Sequence, residues 1–307
     1  MNEESYRLGE ADSCAVAMEL GCNLYSWKVA GRDVLYQPAG FMEKEDTFFG
    51  GGNPILFPAV GRTWDRSAEK PIPDAYTIAG DDAGYSMPIH GILPLCRWQK
   101  LSEHHNGDLL RVQYELSIAA EVRQRHYPFD VAYRQTFAIE GQRLTLTASF
   151  QNRGQRSAPL AFGYHPYFAL ANAAREGVEI RLPCRRRLVL DAELLVPTGD
   201  TEPFDGTLRI QPDQYYDAGF NDVVGDEALL LDQVAGRQVR ITFGDDIDMF
   251  VIYSPPGQPF VCMEPWTAGL AGYEQLRHSA WEREGAIPVL PPGATKTVEV
   301  AYSVAPI

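Results

Sequence analysis

Two histidines and one glutamate stand out as groups able to move protons. His90 lies in Met87-Pro88-Ile89-His90-Gly91-Ile92-Leu93, and His165 in Phe162-Gly163-Tyr164-His165-Pro166-Tyr167-Phe168. Each imidazole sits alone among apolar residues beside Gly or Pro, and the His165-Pro166 step holds its residue on an extended stretch. Glu264 ends the apolar run Phe260-Val261-Cys262-Met263-Glu264 and is followed by Pro265-Trp266-Thr267. A partly buried glutamate has a destabilised anion and a raised pKa, as a general base working near neutral pH requires. Taken singly, each has a plainer reading: a satisfied structural histidine, or a glutamate exposed or ion-paired at a strand end. His104 and His105 in a polar run, His126 after charged residues and His278 in a polar segment are weaker candidates.

Residues for holding a ligand lie close to these. The segment Phe49 to Arg62 reads FGGGNPILFPAVGR and ends in Arg62, whose fork of donors suits hydroxyl or carboxylate oxygens. Asn53 offers an amide to the same cleft, although asparagine before proline is also a turn former. Tyr164, Tyr167 and Trp266 flank the candidate acid and base, and aromatic faces suit the apolar face of a sugar ring. Two histidines and a glutamate could bind zinc, but HxH and HExxH spacings are missing, so no metal is expected. GxSxG, GxGxxG and P-loop signatures are absent too, which argues against a serine triad and against nucleotide cofactors. No cofactor is expected.

The elements that must position these groups are strands. Leu109 to Leu116, Val131 to Ile139 and Arg143 to Phe150 alternate apolar with polar residues, and Val239 to Phe243 and Thr297 to Val304 do so less strictly. Met249 to Tyr253 is a continuous apolar run. Period two puts one face of each strand into a core and turns the other to solvent or a second sheet. Glu140-Gly141, Asn152-Arg153-Gly154, Pro255-Pro256-Gly257 and Pro291-Pro292-Gly293 supply the turns. The best helical stretch, Phe168 to Gly177, is about two turns long and ends on a glycine. We expect an all-β chain, a large antiparallel β-sandwich with little helix, forming a single domain over residues 1–307.

Composition narrows the partners. Of 307 residues, 27 are Lys or Arg and 41 Asp or Glu, a net charge of -14, which opposes tight binding to nucleic acid or anionic membrane. The five cysteines stand singly, without zinc-like spacing, in keeping with a reducing compartment. Met1 to Ala11 lacks the basic start and apolar run of a secretory signal, and no membrane-length apolar stretch occurs. A cytoplasmic protein acting on a neutral small molecule is the expectation.

Taken in order, LFPAVGR (Leu56 to Arg62), IHG (Ile89 to Gly91), GYHPYF (Gly163 to Phe168) and MEPWT (Met263 to Thr267) resemble the aldose 1-epimerase, or galactose mutarotase, family. The likeness runs over nearly the whole chain and includes the late LPPGATKTVEVAYSV (Leu290 to Val304). It implies a β-sandwich with a sugar in a cleft across one face, and interconversion of the α and β anomers of a free aldose. It also implies roles: Glu264 as the base at the C1 hydroxyl, His165 as the acid at the ring oxygen, His90 assisting there or at a neighbouring hydroxyl, and Arg62 gripping hydroxyls. A substrate-binding aspartate is implied between the HPYF and EPWT segments; Asp217 in Asp217-Ala218-Gly219-Phe220 is favoured and Asp222 is close behind. Two features bear on the substrate. Arg66 keeps the GR-x-x-x-R spacing in a polar context, and the arginine that follows HG in the hexose 6-phosphate branch is displaced here to Arg97. A sugar-binding protein without catalysis, and a phosphosugar mutarotase, are the alternatives.

Overall fold

The computed structural model describes residues 3–17, 21–40, 49–67, 69–285 and 287–307, and two large antiparallel sheets dominate it. One sheet has nine strands in the spatial order Arg97–Asn106, Leu109–Ser117, Val131–Glu140, Arg143–Asn152, Thr295–Pro306, Arg237–Phe243, Glu227–Asp232, Val178–Arg181 and Thr207–Arg209. The alternating segments read from sequence form its centre. In Leu109–Ser117 the even positions Leu110, Val112, Tyr114 and Leu116 are buried, and the run Leu144, Leu146, Ala148, Phe150 repeats this in Arg143–Asn152.

The second sheet has eight strands. Its path runs Pro197–Pro203, Cys184–Leu190, Tyr216–Val223, Met249–Ser254, Phe260–Trp266, Gly163–Tyr164 and Ile55–Leu56, and Tyr167–Ala169 also pairs with Phe260–Trp266. Its inward face supplies Phe220, Phe250, Ile252, Val261 and Met263 to one continuous core shared with Phe137, Leu146, Val300 and Tyr302 of the nine-stranded sheet. The sandwich expected from period two is therefore present. A smaller four-stranded sheet, from Glu3–Leu8 to Arg32–Asp33, adds Trp27 and Leu24 to the same core, and Val34 joins them just after its last strand.

The helix expected at Phe168 to Gly177 does not form. Tyr167–Ala169 is instead a strand, in register Tyr167↔Cys262 to Ala169↔Phe260, and the rest is turn. Asn172 Oδ1 accepts from the backbone N–H groups of Ala174 and Arg175, so the side chain competes with helical pairing. Arg175 is 1% exposed and donates to the carbonyls of Ser254, Gln211, Pro212 and Gln214, which fixes the turn against the sheet. The α-helices among the described residues are Ala120–His126 and Trp281–Glu284, and none is long and apolar enough to cross a membrane.

Candidate active site

Period two decides what the eight-stranded sheet shows on its outer face. In Phe260–Trp266 the odd positions Val261 and Met263 enter the core, so Cys262 and Glu264 point the other way. Register then aligns three strands: Val251 pairs with Glu264 and Gly219 with Val251, while Tyr253 pairs with Cys262 and Asp217 with Tyr253. Asp217, Gly219, Val251, Tyr253, Glu264 and Trp266 thereby floor a cavity of about 410 Å³. That is a size suited to a small ligand.

Backbone pairing brings the two imidazoles to this floor. Gly163 pairs with both Leu56 and Trp266, and a Cβ there would lie 2.4 Å from Trp266 Cδ1, so only glycine lets the strands close up. The His165 N–H donates to the Pro54 carbonyl at 2.9 Å and the Tyr167 N–H to that of Gly52 at 2.8 Å. His90 is held in the left-handed region at φ 63, its N–H bonded to Gly61 O at 2.9 Å and its own carbonyl accepting from Phe57 N–H. A Cβ on the next residue, Gly91, would meet Phe57 O at 2.0 Å. The two GR- and HG-bearing segments are thus clamped together: Gly91 has no room for a Cβ, and Gly61 sits in the left-handed region at φ 68.

His165 and Glu264 meet at the base of the cavity. His165 Nε2 stands 3.3 Å from Glu264 Oε1, with the side chains 8% and 1% exposed. His165 stacks on Tyr167 at 4.8 Å between centroids and an 11° interplanar angle. His90 lies edge-on to it at 5.5 Å and close to Trp266 at 5.9 Å. Burial raises the Glu264 carboxyl well above its usual range, and the nearby Asp217 charge adds to this. The Trp266 indole pulls the other way, although its N–H makes no well-aligned hydrogen bond. Burial pushes the His165 imidazole down to about 3. His90 is also depressed well below the ordinary value, by burial and then by His165 and Arg62.

His90 has a defined tautomer. The Gly61 N–H donates to His90 Nδ1 at 3.1 Å, so Nδ1 is unprotonated and a neutral ring carries its proton on Nε2. His90 is therefore a hydrogen-bond donor, not a base.

The remaining sequence candidates divide. Tyr167, Trp266 and Arg62 line the cavity, and so does Asp217, at its open side, with a carboxyl raised by burial. Asp222 does not: five positions on, it faces a separate depression near Asp245 and Asp248. Asn53 is also outside. It is fully buried outside the cavity lining, its backbone N–H donating to Leu24 O and Asn23 Oδ1 of the four-stranded sheet. Arg62 reaches the rim, where Nη1 lies 2.8 Å from both Asp74 carboxylate oxygens. Arg66 turns away and pairs with Glu274 at 3.3 Å.

Several lining residues escaped the sequence reading. Tyr253 hides in an apolar run whose two faces look alike, and only its register with Cys262 reveals it. Leu194 and Leu195 form a rim on the Asp191 to Val196 turn, where Trp64 Nε1 donates to Leu194 O at 3.0 Å. No local signal marks that turn as part of a site.

The aldose 1-epimerase family model matches residues 4–303 of the chain. The chain belongs to the aldose 1-epimerase family. Solved structures agree on the fold. The Slr1438 protein of Synechocystis sp. PCC 6803 is 21% identical, with a TM-score of 0.83 over 100% of this chain and 97% of its own. A galactose mutarotase-like protein from Clostridium acetobutylicum is 16% identical, with a TM-score of 0.76 over 100% and 99%. A galactose mutarotase related enzyme from Lactobacillus acidophilus is 19% identical, with a TM-score of 0.77 over 98% and 97%. Among curated proteins no sequence match was found. Family membership supports an isomerase of the mutarotase type, and the ordered motifs that carry the family resemblance border the cavity just described.

Proposed function

We propose that the chain is an aldose 1-epimerase that opens and recloses the hemiacetal ring of an unphosphorylated sugar, and the observation that carries this is the contact between His165 and Glu264. Ring opening needs a proton taken from the C1 hydroxyl and another given to the ring oxygen, with rotation about C1–C2 before closure. The pair holds one proton between its two members. With that proton on His165 Nε2, Glu264 is the free carboxylate that accepts from O1, and His165 is the acid that donates to O5. Closure on the other face reverses both transfers and restores the starting state.

The environment supports reversibility. In water the imidazole outcompetes a carboxylate for the proton by about two pKa units. Burial raises Glu264 and lowers His165, which reverses that order, so the shared proton rests on Glu264 and reaches His165 Nε2 only in the reacting state. Each positioned group contributes about 10²–10⁴ in rate. His90, as a neutral donor, holds the ring oxygen or a neighbouring hydroxyl, and Asp217 accepts from hydroxyls at the mouth. Arg62 is the one Lys or Arg among the described lining residues, and Asp74 already occupies it. That arrangement favours a neutral sugar over a hexose phosphate.

Polarimetry with freshly dissolved α-glucose, α-galactose and other aldoses tests the reading. Faster approach to the equilibrium rotation is the expected result, and glucose 6-phosphate is expected to compete poorly with glucose. Saturable sugar binding without faster rotation would identify a binding protein instead.

A further inference from the structure

Cys262 takes no part in the chemistry above, yet the fold places it beside the acid–base pair. It sits two residues before Glu264 on the same strand face, and its register partner Tyr167 is the residue on which His165 stacks. His165, Cys262 and Glu264 each offer one ligand atom, and the three atoms lie within 4.8 Å of one another. We propose that these three side chains form a binding site for a thiophilic divalent cation of the Zn²⁺ type, and that its occupation blocks the catalytic pair.

The donor set fits such an ion. Imidazole nitrogen, thiolate and carboxylate are the ligands zinc takes, at about 2.0 to 2.3 Å, and a tetrahedral centre then sets nitrogen and oxygen about 3.3 Å apart. His165 Nε2 and Glu264 Oε1 already stand at 3.3 Å. Among the described residues Glu264 Oε2 has no hydrogen-bond partner, so the carboxylate can turn without breaking one there. His165 and Glu264 line the cavity, while Cys262 lies beneath it, packed with Tyr167 and Phe260.

Charge points the same way. Thiolate and carboxylate together balance a dication, with the thiol proton released to solvent. Among the described residues no lysine or arginine charge acts on Glu264, and Asp217 adds negative potential from across the sheet. The lining arginine, Arg62, is paired with Asp74. The sequence hides the site because its ligands come as C-x-E on one strand plus a histidine some hundred residues earlier. Neither the HxH nor the HExxH spacing is involved. The other cysteines, Cys14, Cys22, Cys96 and Cys184, are buried and fall outside the cluster.

Titration with Co²⁺, read by absorption, tests the site without relying on turnover. The purified chain is expected to bind one equivalent and to show the near-ultraviolet thiolate-to-cobalt band. Cys262→Ser is expected to lose that band and to weaken Co²⁺ binding at least about 10-fold. His165→Asn, which leaves the thiol in place, serves as the second variant and weakens binding by a similar factor. In polarimetry Zn²⁺ is expected to inhibit the wild type and to lose potency on Cys262→Ser by the same factor. Absence of the band in the wild type, or its persistence in Cys262→Ser, overturns the proposal. The inhibition rests on the mutarotase reading, but the cobalt spectrum does not, so a protein inactive on every sugar would still give a decisive absorption result.

Discussion

The two faces of the strand Phe260–Trp266 obey opposite rules. Val261 and Met263, on one side, are fully buried among apolar neighbours and have no polar atom to satisfy. Glu264, on the other, is 1% exposed, and its Oε2 has no hydrogen-bond partner among the described residues. His165 Nδ1 and Trp266 Nε1 beside it also lack partners among the described residues. A buried polar group left unpaired costs stability, so the first face holds the fold together and the second draws on that stability to hold chemistry. On the proposed reading, folding and function are separated by the thickness of one sheet.

The largest expected effect tests that separation directly. Glu264→Gln and His165→Asn are expected to lower turnover at least about 10²-fold in polarimetry while circular dichroism of the fold is unchanged. Near-normal turnover in both variants would show that the cavity face is not the catalytic face. Next in size, on the opposite face, Met263→Ala is expected to destabilise the chain by about 2–5 kcal/mol in urea unfolding, through lost burial and a residual cavity. The folded fraction of that variant should keep its kcat. A kcat collapse in Met263→Ala under conditions where it remains folded would mean that the core sets site geometry far more tightly than the two-face division allows.

The same contrast explains what could be read from the sequence. The nine-stranded sheet was legible because its strands carry clean alternation, as in Leu110, Val112, Tyr114 and Leu116. The site sheet was legible through its motifs. Glu264, His165 and His90 converge because glycines at 163 and 91 allow strands to touch there, and both stand in the motifs. What failed did so for local reasons that only pairing reveals. Asn53 looked like a cleft amide, but its neighbours in the sheet pull it inward. Phe168 to Gly177 had helical composition, yet Tyr167–Ala169 found a strand partner in Phe260–Trp266. The choice between Asp217 and Asp222 turned on parity. Their separation is odd, so a regular strand cannot point both into one cavity, and Asp222 lies at φ 56 near the strand's end.

Asp217 gives a smaller and more discriminating prediction. It lies in the row of Tyr253 and Cys262, one row from Glu264, and lines the open side of the cavity. Loss of a charged hydrogen-bond acceptor there is expected to raise KM about 10-fold in Asp217→Asn, with kcat changed much less. Asp222→Asn, its counterpart outside the cavity, is expected to leave both constants unaltered. A larger effect at Asp222 than at Asp217 would reverse the parity assignment.

The last expected effect is thermodynamic, and its sign differs for the two members of the pair. His165 titrates at about 3 in the folded chain against an ordinary 6.5, so between those values the unfolded state binds more protons. Stability contributed through this group is therefore lost as pH falls from about 6.5 toward 3. Glu264 is shifted the other way, so above its ordinary 4.5 the folded state binds the extra proton and stability falls as pH rises. Urea midpoints measured across pH separate the two. Glu264→Gln is expected to be more stable than the wild type near neutral pH, by a margin that shrinks as pH drops below the carboxyl's raised value. His165→Asn is expected to flatten the acid side of the profile while leaving the neutral side alone. Opposite slopes in two residues 3.3 Å apart require that burial, not their mutual attraction, sets both affinities. A simple ion pair would instead raise the histidine, lower the glutamate and invert both trends.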